Sequence, residues 1–209
     1  MVRLNAIAMT LILGAAIGVT TPAAAQREYF SAAEVDRLRD AQGIEFRVPL
    51  YMRLADKRLV ALGIKELTAK ELEAQRKEDA KLDERVYNTT GRSPVRTNKE
   101  DPDGYLRDYT KAELLRGYIE AVDDLMSFIE DAYKRKIDVR PHLEALEKYA
   151  RANRPLLDRF KARNDAEDAA LEDAIEKTEE ALKGSADALE KIAPTERKPV
   201  PKPAPPPLK

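Results

Sequence analysis

The chain has no cysteine and a single histidine. The first absence rules out disulfide bracing and thiolate chemistry. The second leaves His142, beside Pro141 at an expected helix start, with no second histidine or cysteine to share a metal or build a triad. Tryptophan is missing, aromatic residues make up 6%, and there are only 8 glycines. That composition argues against a β-sandwich. No glycine-rich phosphate loop or nucleophile elbow appears, nor the Glu-x-x-His pair of di-iron bundles. An excess of one charge is lacking too. The formal net charge is −1, which offers no global field for nucleic acid or anionic lipid. Beyond residue 25 no apolar run is long enough to cross a bilayer.

What is present begins with an export signal. Arg3 supplies a positive start, residues 6–19 a short apolar core, and Ala23-Ala24-Ala25 the small residues that a signal peptidase accepts. Cleavage near Ala25 leaves 209 − 25 = 184 residues, and losing Arg3 takes the charge from −1 to −2. The expected destination is secreted or periplasmic. A chain of this size builds one proper core. With 36% charged residues, it reads as a helical protein with much solvated surface.

The organising stretch is residues 111–137. At about 100° per residue, Leu114, Leu115, Tyr118, Ile119, Val122, Leu125, Met126, Phe128, Ile129, Ala132, Tyr133 and Ile137 share roughly half the circumference. An arc that wide needs at least two neighbouring helices. Thr110 and Glu113 form a capping box at its start, and Lys134-Arg135-Lys136 places cations at its end.

The other elements follow from similar signals. Ser31 and Glu34 cap a short helix over 32–42, with Gly43 as its stop. Residues 44–48 connect, and Pro49 opens a second helix that Gly63 ends. Arg58 falls in the middle of that helix's apolar face. It is either an anion-binding arginine or, the preferred reading, one whose stem packs while its head finds a carboxylate. Thr68 and Glu71 cap a third helix running to about Val86, whose thin apolar line (Leu72, Leu82, Val86) predicts a mobile helix outside the core. Residues 88–104 read as a loop ending in a Pro-Asp-Gly turn, without the ligand spacing of a calcium loop. Asp138 as N-cap and Pro141 in the first turn start the helix after the central one, which carries an apolar stripe to about Arg163. The short connection predicts that it pairs antiparallel with the central helix. Pro155 lies on its solvent side. Asn153 lies in the stripe, either fixing register through one partner or, as preferred here, at the wet margin.

Asn164 either restarts the helix or is passed over. Leu171, Ile175, Thr178, Leu182, Ser185, Leu189 and Ile192 then follow in coiled-coil spacing, up to Pro194. The seam Leu171, Ile175, Leu182 and Leu189 needs a partner. That is either the thin-seamed helix at 69–86 or another molecule, a target protein or a second copy of the chain. Residues 194–209 form a tail rich in proline and lysine, expected to be disordered or polyproline II: a spacer, or a ligand for a groove.

The polar constellations are carboxylates and a basic cluster. Glu120, Asp124 and Asp131 share one side of the central helix, where they can ligate a hard cation, do acid–base work, or simply be solvated, the commoner outcome. Lys134–Lys136 with Arg140 can meet an anion, although helix-end electrostatics account for most of it. The expectation is therefore an all-α, elongated bundle of five or six helices over residues 26–193. It has a central antiparallel pair, a coiled-coil-like last helix and the proline-rich tail. Functionally it reads as an exported, non-catalytic protein that binds another macromolecule in an adaptor, structural or chaperone-like role, with no cofactor. The alternatives are a bundle binding a small ligand or hard cation through carboxylates, or an Asp/Glu-dependent hydrolase.

Overall fold

A computed structural model of the chain describes residues 29–90 and 103–192. The stretch expected to be an export signal and the tail from Pro194 lie outside them. Among the described residues the fold is all-α: six α-helices and a short 3₁₀ helix, Gly104–Asp108. The α-helices are α1 (Ala32–Asp40), α2 (Ile44–Ala61), α3 (Ala69–Thr90), α4 (Lys111–Lys134), α5 (Arg140–Leu157) and α6 (Asp165–Lys191). Among the described residues no helix is long and apolar enough to cross a membrane.

The central helix is α4. Its capping box is made in full, with the Glu113 N–H donating to Thr110 Oγ1 at 3.2 Å and the Thr110 N–H to Glu113 Oε2 at 2.7 Å. Its wide apolar arc is covered by α2 on one side and α6 on the other. Arg58 of α2 sits beside Gly117, and Arg47 stacks over Phe128, so α2 and α4 run antiparallel. The Tyr118 hydroxyl meets Thr178 Oγ1 at 2.9 Å, and the groove near Tyr133 ends at Ile192, so α4 and α6 run parallel. Between α5 and α6 the direction reverses again, with Arg154 on Glu179 at 2.7 Å and Arg140 on the Ile192 carbonyl at 2.8 Å.

The antiparallel pairs are thus α2 with α4 and α5 with α6. The central helix and the one that follows it therefore run in opposite directions, as expected, but their expected pairing is corrected: α4 packs on α2 and α6, and α5 mainly on α6. A short loop dictates direction but not adjacency. Here α6 takes the place beside α4, because its buried edge consists of small residues, Ala170, Ala174, Thr178, Ala181 and Ser185, which let helices approach closely.

Several boundaries also move. α2 begins at Ile44, because burying Ile44 and Val48 outweighs the one hydrogen bond that Pro49 cannot make near the helix start. Gly43, with φ −91, is the N-cap of α2 rather than a left-handed stop for α1. Gly63, with φ +74, does end α2 in a Schellman motif: its N–H donates to the Val60 carbonyl, and the Ile64 N–H to that of Leu59. The same motif ends α4 three residues earlier than expected, with Lys136 in the left-handed position at φ 61, leaving Tyr133 and Ile137 exposed. α5 stops at Leu157, two residues past Pro155, and Asn164 restarts the chain as the N-cap of α6. α3 is exposed along residues 69–74, including Leu72.

Candidate functional site

Arg58 is 1% exposed. Its guanidinium donates to Glu34 Oε1 at 2.7 Å and Oε2 at 2.8 Å, to the Leu54 carbonyl at 2.9 Å and to the Tyr29 carbonyl at 2.7 Å. Gly117 leaves room for it, since a Cβ there would lie 3.2 Å from Arg58 Nε. Burial alone would raise the Glu34 carboxyl, but the hydrogen bonds and charge of Arg58 outweigh it and hold the group below its ordinary value. This is a clamp that ties residues 29–34 to α2 and α4, and it takes up all four terminal N–H groups of the guanidinium. Glu34 was legible only as a capping residue. The clue to its second role is that a buried arginine needs a carboxylate.

The acidic patch is not one site. Glu120 lines a recess with Tyr29, Asp173 and Glu176. Asp124 faces the other way, toward Tyr51 and Arg47 of α2, and burial raises its carboxyl. Asp131 is exposed near Lys134, which also holds Glu130 at 2.8 Å. The outermost two are eleven residues apart, roughly 16 Å along a helix. Among the described residues no three His, Cys, Asp or Glu side chains gather as a metal would need. The basic cluster is similarly dispersed: Arg135 bonds the Asp131 carbonyl, and Arg140 bonds Glu144 and the end of α6. His142 is half-buried, and burial lowers its pKa. Asn153 is 1% exposed, so it is not at a wet margin. Its Oδ1 accepts from Lys65 at 3.2 Å, tying the connection after α2 to α5.

The seam Leu171, Ile175, Leu182 and Leu189 is half-buried against the bundle's own core. Its partners are within the chain, on the α5 side of α6, and the proposed pairing with the helix at 69–86 is replaced by packing on α5 and α4. The spacing singled out the large residues, whereas the centre of the buried face is alanine.

What sequence reasoning missed lies on the other side of α6. Toward their C-terminal ends, α4 and α6 leave a groove of about 480 Å³ between them, with the start of α5 as its floor. Met126, Ile129, Leu143, Leu146, Ala181 and Ala188 make it apolar. Asp123, Glu130 and Glu180 stand on its rim, and Tyr133, 58% exposed, flanks it. Lys177 bridges Asp123 at 2.8 Å and Glu180 at 2.6 Å, closing one end. Gly184 forms part of the wall, and a Cβ added there would meet nothing within 4 Å. Glycine inside a helix costs about 1 kcal/mol relative to alanine, and among the described residues no neighbour requires it here. The one available signal was this glycine in the middle of an otherwise strong helix. No family model matches this chain, and neither does any curated protein or solved structure.

Proposed function

We propose that this is an exported, non-catalytic helical protein whose α4–α5–α6 groove docks a segment of another protein. The observation that carries the reading is Gly184. The helix forgoes about 1 kcal/mol there and keeps the wall of an apolar, acid-rimmed groove low enough for a backbone to approach. A groove with an apolar floor and a charged rim suits an amphipathic peptide better than a small polar substrate. Export rests on the charged start, apolar core and Ala23-Ala24-Ala25 of the first 25 residues.

The test uses the full chain in its native envelope, with a photo-reactive phenylalanine analogue at position 133. A protein adduct that forms on the native chain and is lost in Gly184→Leu, which fills the groove, supports the reading. No adduct, together with a melting temperature raised by a metal ion or small molecule, would replace it with the ligand-binding alternative. Amino-terminal sequencing of the exported protein checks the cleavage site near Ala25.

A further inference from the structure

We infer that the groove is one half of a two-fold interface and that its partner is a second copy of this chain, laid antiparallel across α4 and α6. The inference rests on the reading of the groove as a docking site and names the molecule that docks. It starts from the charges that the fold leaves over. The groove's rim acids are neutralised within the chain, Asp123 and Glu180 by Lys177 and Glu130 by Lys134. Lys191, at the groove's C-terminal end, has no partner among the described residues. At the opposite end lies a recess of about 370 Å³ between the same two helices. There Glu120, Asp173 and Glu176 have no partner among the described residues either, against one free cation, Arg116. Burial and the neighbouring Asp124 and Asp123 raise the Glu120 carboxyl, so a cation arriving there is favoured. The face is therefore acidic at one end, apolar in the middle and basic at the other.

Two-fold symmetry allows two ways to lay such a face on itself. With the axis parallel to the helices, acids meet acids. With the axis across them, each α6 runs antiparallel to its copy, and each basic end meets an acidic one. The sequence places that axis. The midpoint between Glu176 and Lys191 falls beside Gly184, where a Cβ would meet nothing within 4 Å. Two copies of α6 come closest at that point, since neither has a side chain there. On α4 the midpoint between Glu120 and Tyr133 falls beside Ser127, another small residue. Tyr133, 58% exposed, then meets the recess of the second copy, where Arg116 and Ile119 offer its ring a cation and an apolar wall. Asp187 falls against the second copy's Lys177–Glu180 pair. Residues 173–191 span about 27 Å, and two helices side by side about 20 Å. That is about 540 Å² per copy, at the small end of specific interfaces, so the dimer is reversible and forms at high concentration.

Sedimentation of the full chain from about 10 to 500 µM should show a monomer passing into a dimer. Lys191→Glu and Glu176→Lys each put like charges together at both ends of the interface and should weaken self-association at least about tenfold. Both residues are exposed, so neither change should alter the far-UV circular dichroism. Mixed in equal amounts, the two variants should recover the native affinity to within about threefold, because each then meets the opposite charge at both ends. Gly184→Leu should abolish the dimer by holding the helices apart. A chain that stays monomeric at about 500 µM, a dimer indifferent to both charge variants, or a mixture that fails to recover overturns the inference. If the chain is monomeric while the position-133 adduct joins it to a different protein and still depends on Gly184, the docking site stands and the second copy is not its occupant. If neither dimer nor adduct forms, the docking reading itself falls.

Discussion

Breaking the clamp around Arg58 should destabilise the protein more than any surface substitution. Glu34→Gln keeps the size of the side chain and removes its charge. It leaves a guanidinium that is 1% exposed with two backbone carbonyls and no counter-charge. Losing one partner of a buried ion pair costs about 3–5 kcal/mol, and the weakened capping bond to the Ser31 N–H adds up to about 1 kcal/mol. For a chain of this length that lowers the melting temperature by roughly 6–24 °C. Arg58→Met should cost a similar amount, but the pair Glu34→Gln with Arg58→Met should cost clearly less than the sum, because no buried charge is left over. Urea unfolding followed by far-UV circular dichroism measures all three variants. A single-variant loss below about 1 kcal/mol, or strict additivity in the double variant, would refute the argument, since the pair would then act as two solvated groups.

The same pair predicts a pH dependence. The Glu34 carboxyl is held below its ordinary value of 4.5 in the folded chain. A depressed carboxylate contributes fully above its unfolded pKa and loses that contribution as pH falls through the folded one. Native stability should therefore drop below about pH 4.5, and the slope there should be shallower in Glu34→Gln.

Three further outcomes are expected. Leu125→Ala and Ile129→Ala should each cost about 2–5 kcal/mol, because both side chains are buried in α4; a change under about 0.5 kcal/mol in denaturant melts would mean that α4 is not the organising helix. Lys136→Gly should raise stability by about 0.5–1 kcal/mol, since it relieves a left-handed residue at φ 61; a loss would mean that the lysine side chain matters more than its backbone. Gly184→Ala should raise the melting temperature by about 2–4 °C for a gain near 1 kcal/mol, while Gly184→Leu blocks the groove; a fall in melting temperature with alanine would show that the wall is packed after all.

Much of the architecture was legible because its signals are local. Capping boxes at Ser31 and Thr110, Gly63 at a helix stop and Pro141 in a first turn each act within a few residues, and each is found in place. What stayed illegible depends on residues far apart. Gly43 looks like a stop but serves the next helix, because the choice turns on whether Ile44 and Val48 find a core to enter. Asn153 looked marginal because nothing nearby announces Lys65, 88 residues away. The partner of Arg58 was in view as Glu34, yet only the return of α1 against α2 brings them together.

The last helix shows the same limit in the place that matters for function. Read by large residues, α6 has a seam at Leu171, Ile175, Leu182 and Leu189 that asks for an outside partner. Read by burial, it has a centre at Ala170, Ala174, Thr178, Ala181 and Ser185, with those leucines half-covered at one edge. A helix between two neighbours is covered on both flanks, so its small residues mark the axis of closest approach and its large ones mark the border. It follows that Leu182→Asp, which introduces a charge against the α5 side of the core, should unfold the bundle cooperatively instead of dissociating a partner. Sedimentation and far-UV circular dichroism on one sample distinguish the two. A variant that keeps its helicity and melting temperature but loses a bound partner would return the leucine edge to the outside of the protein, and the groove at Gly184 would no longer be the first place to look.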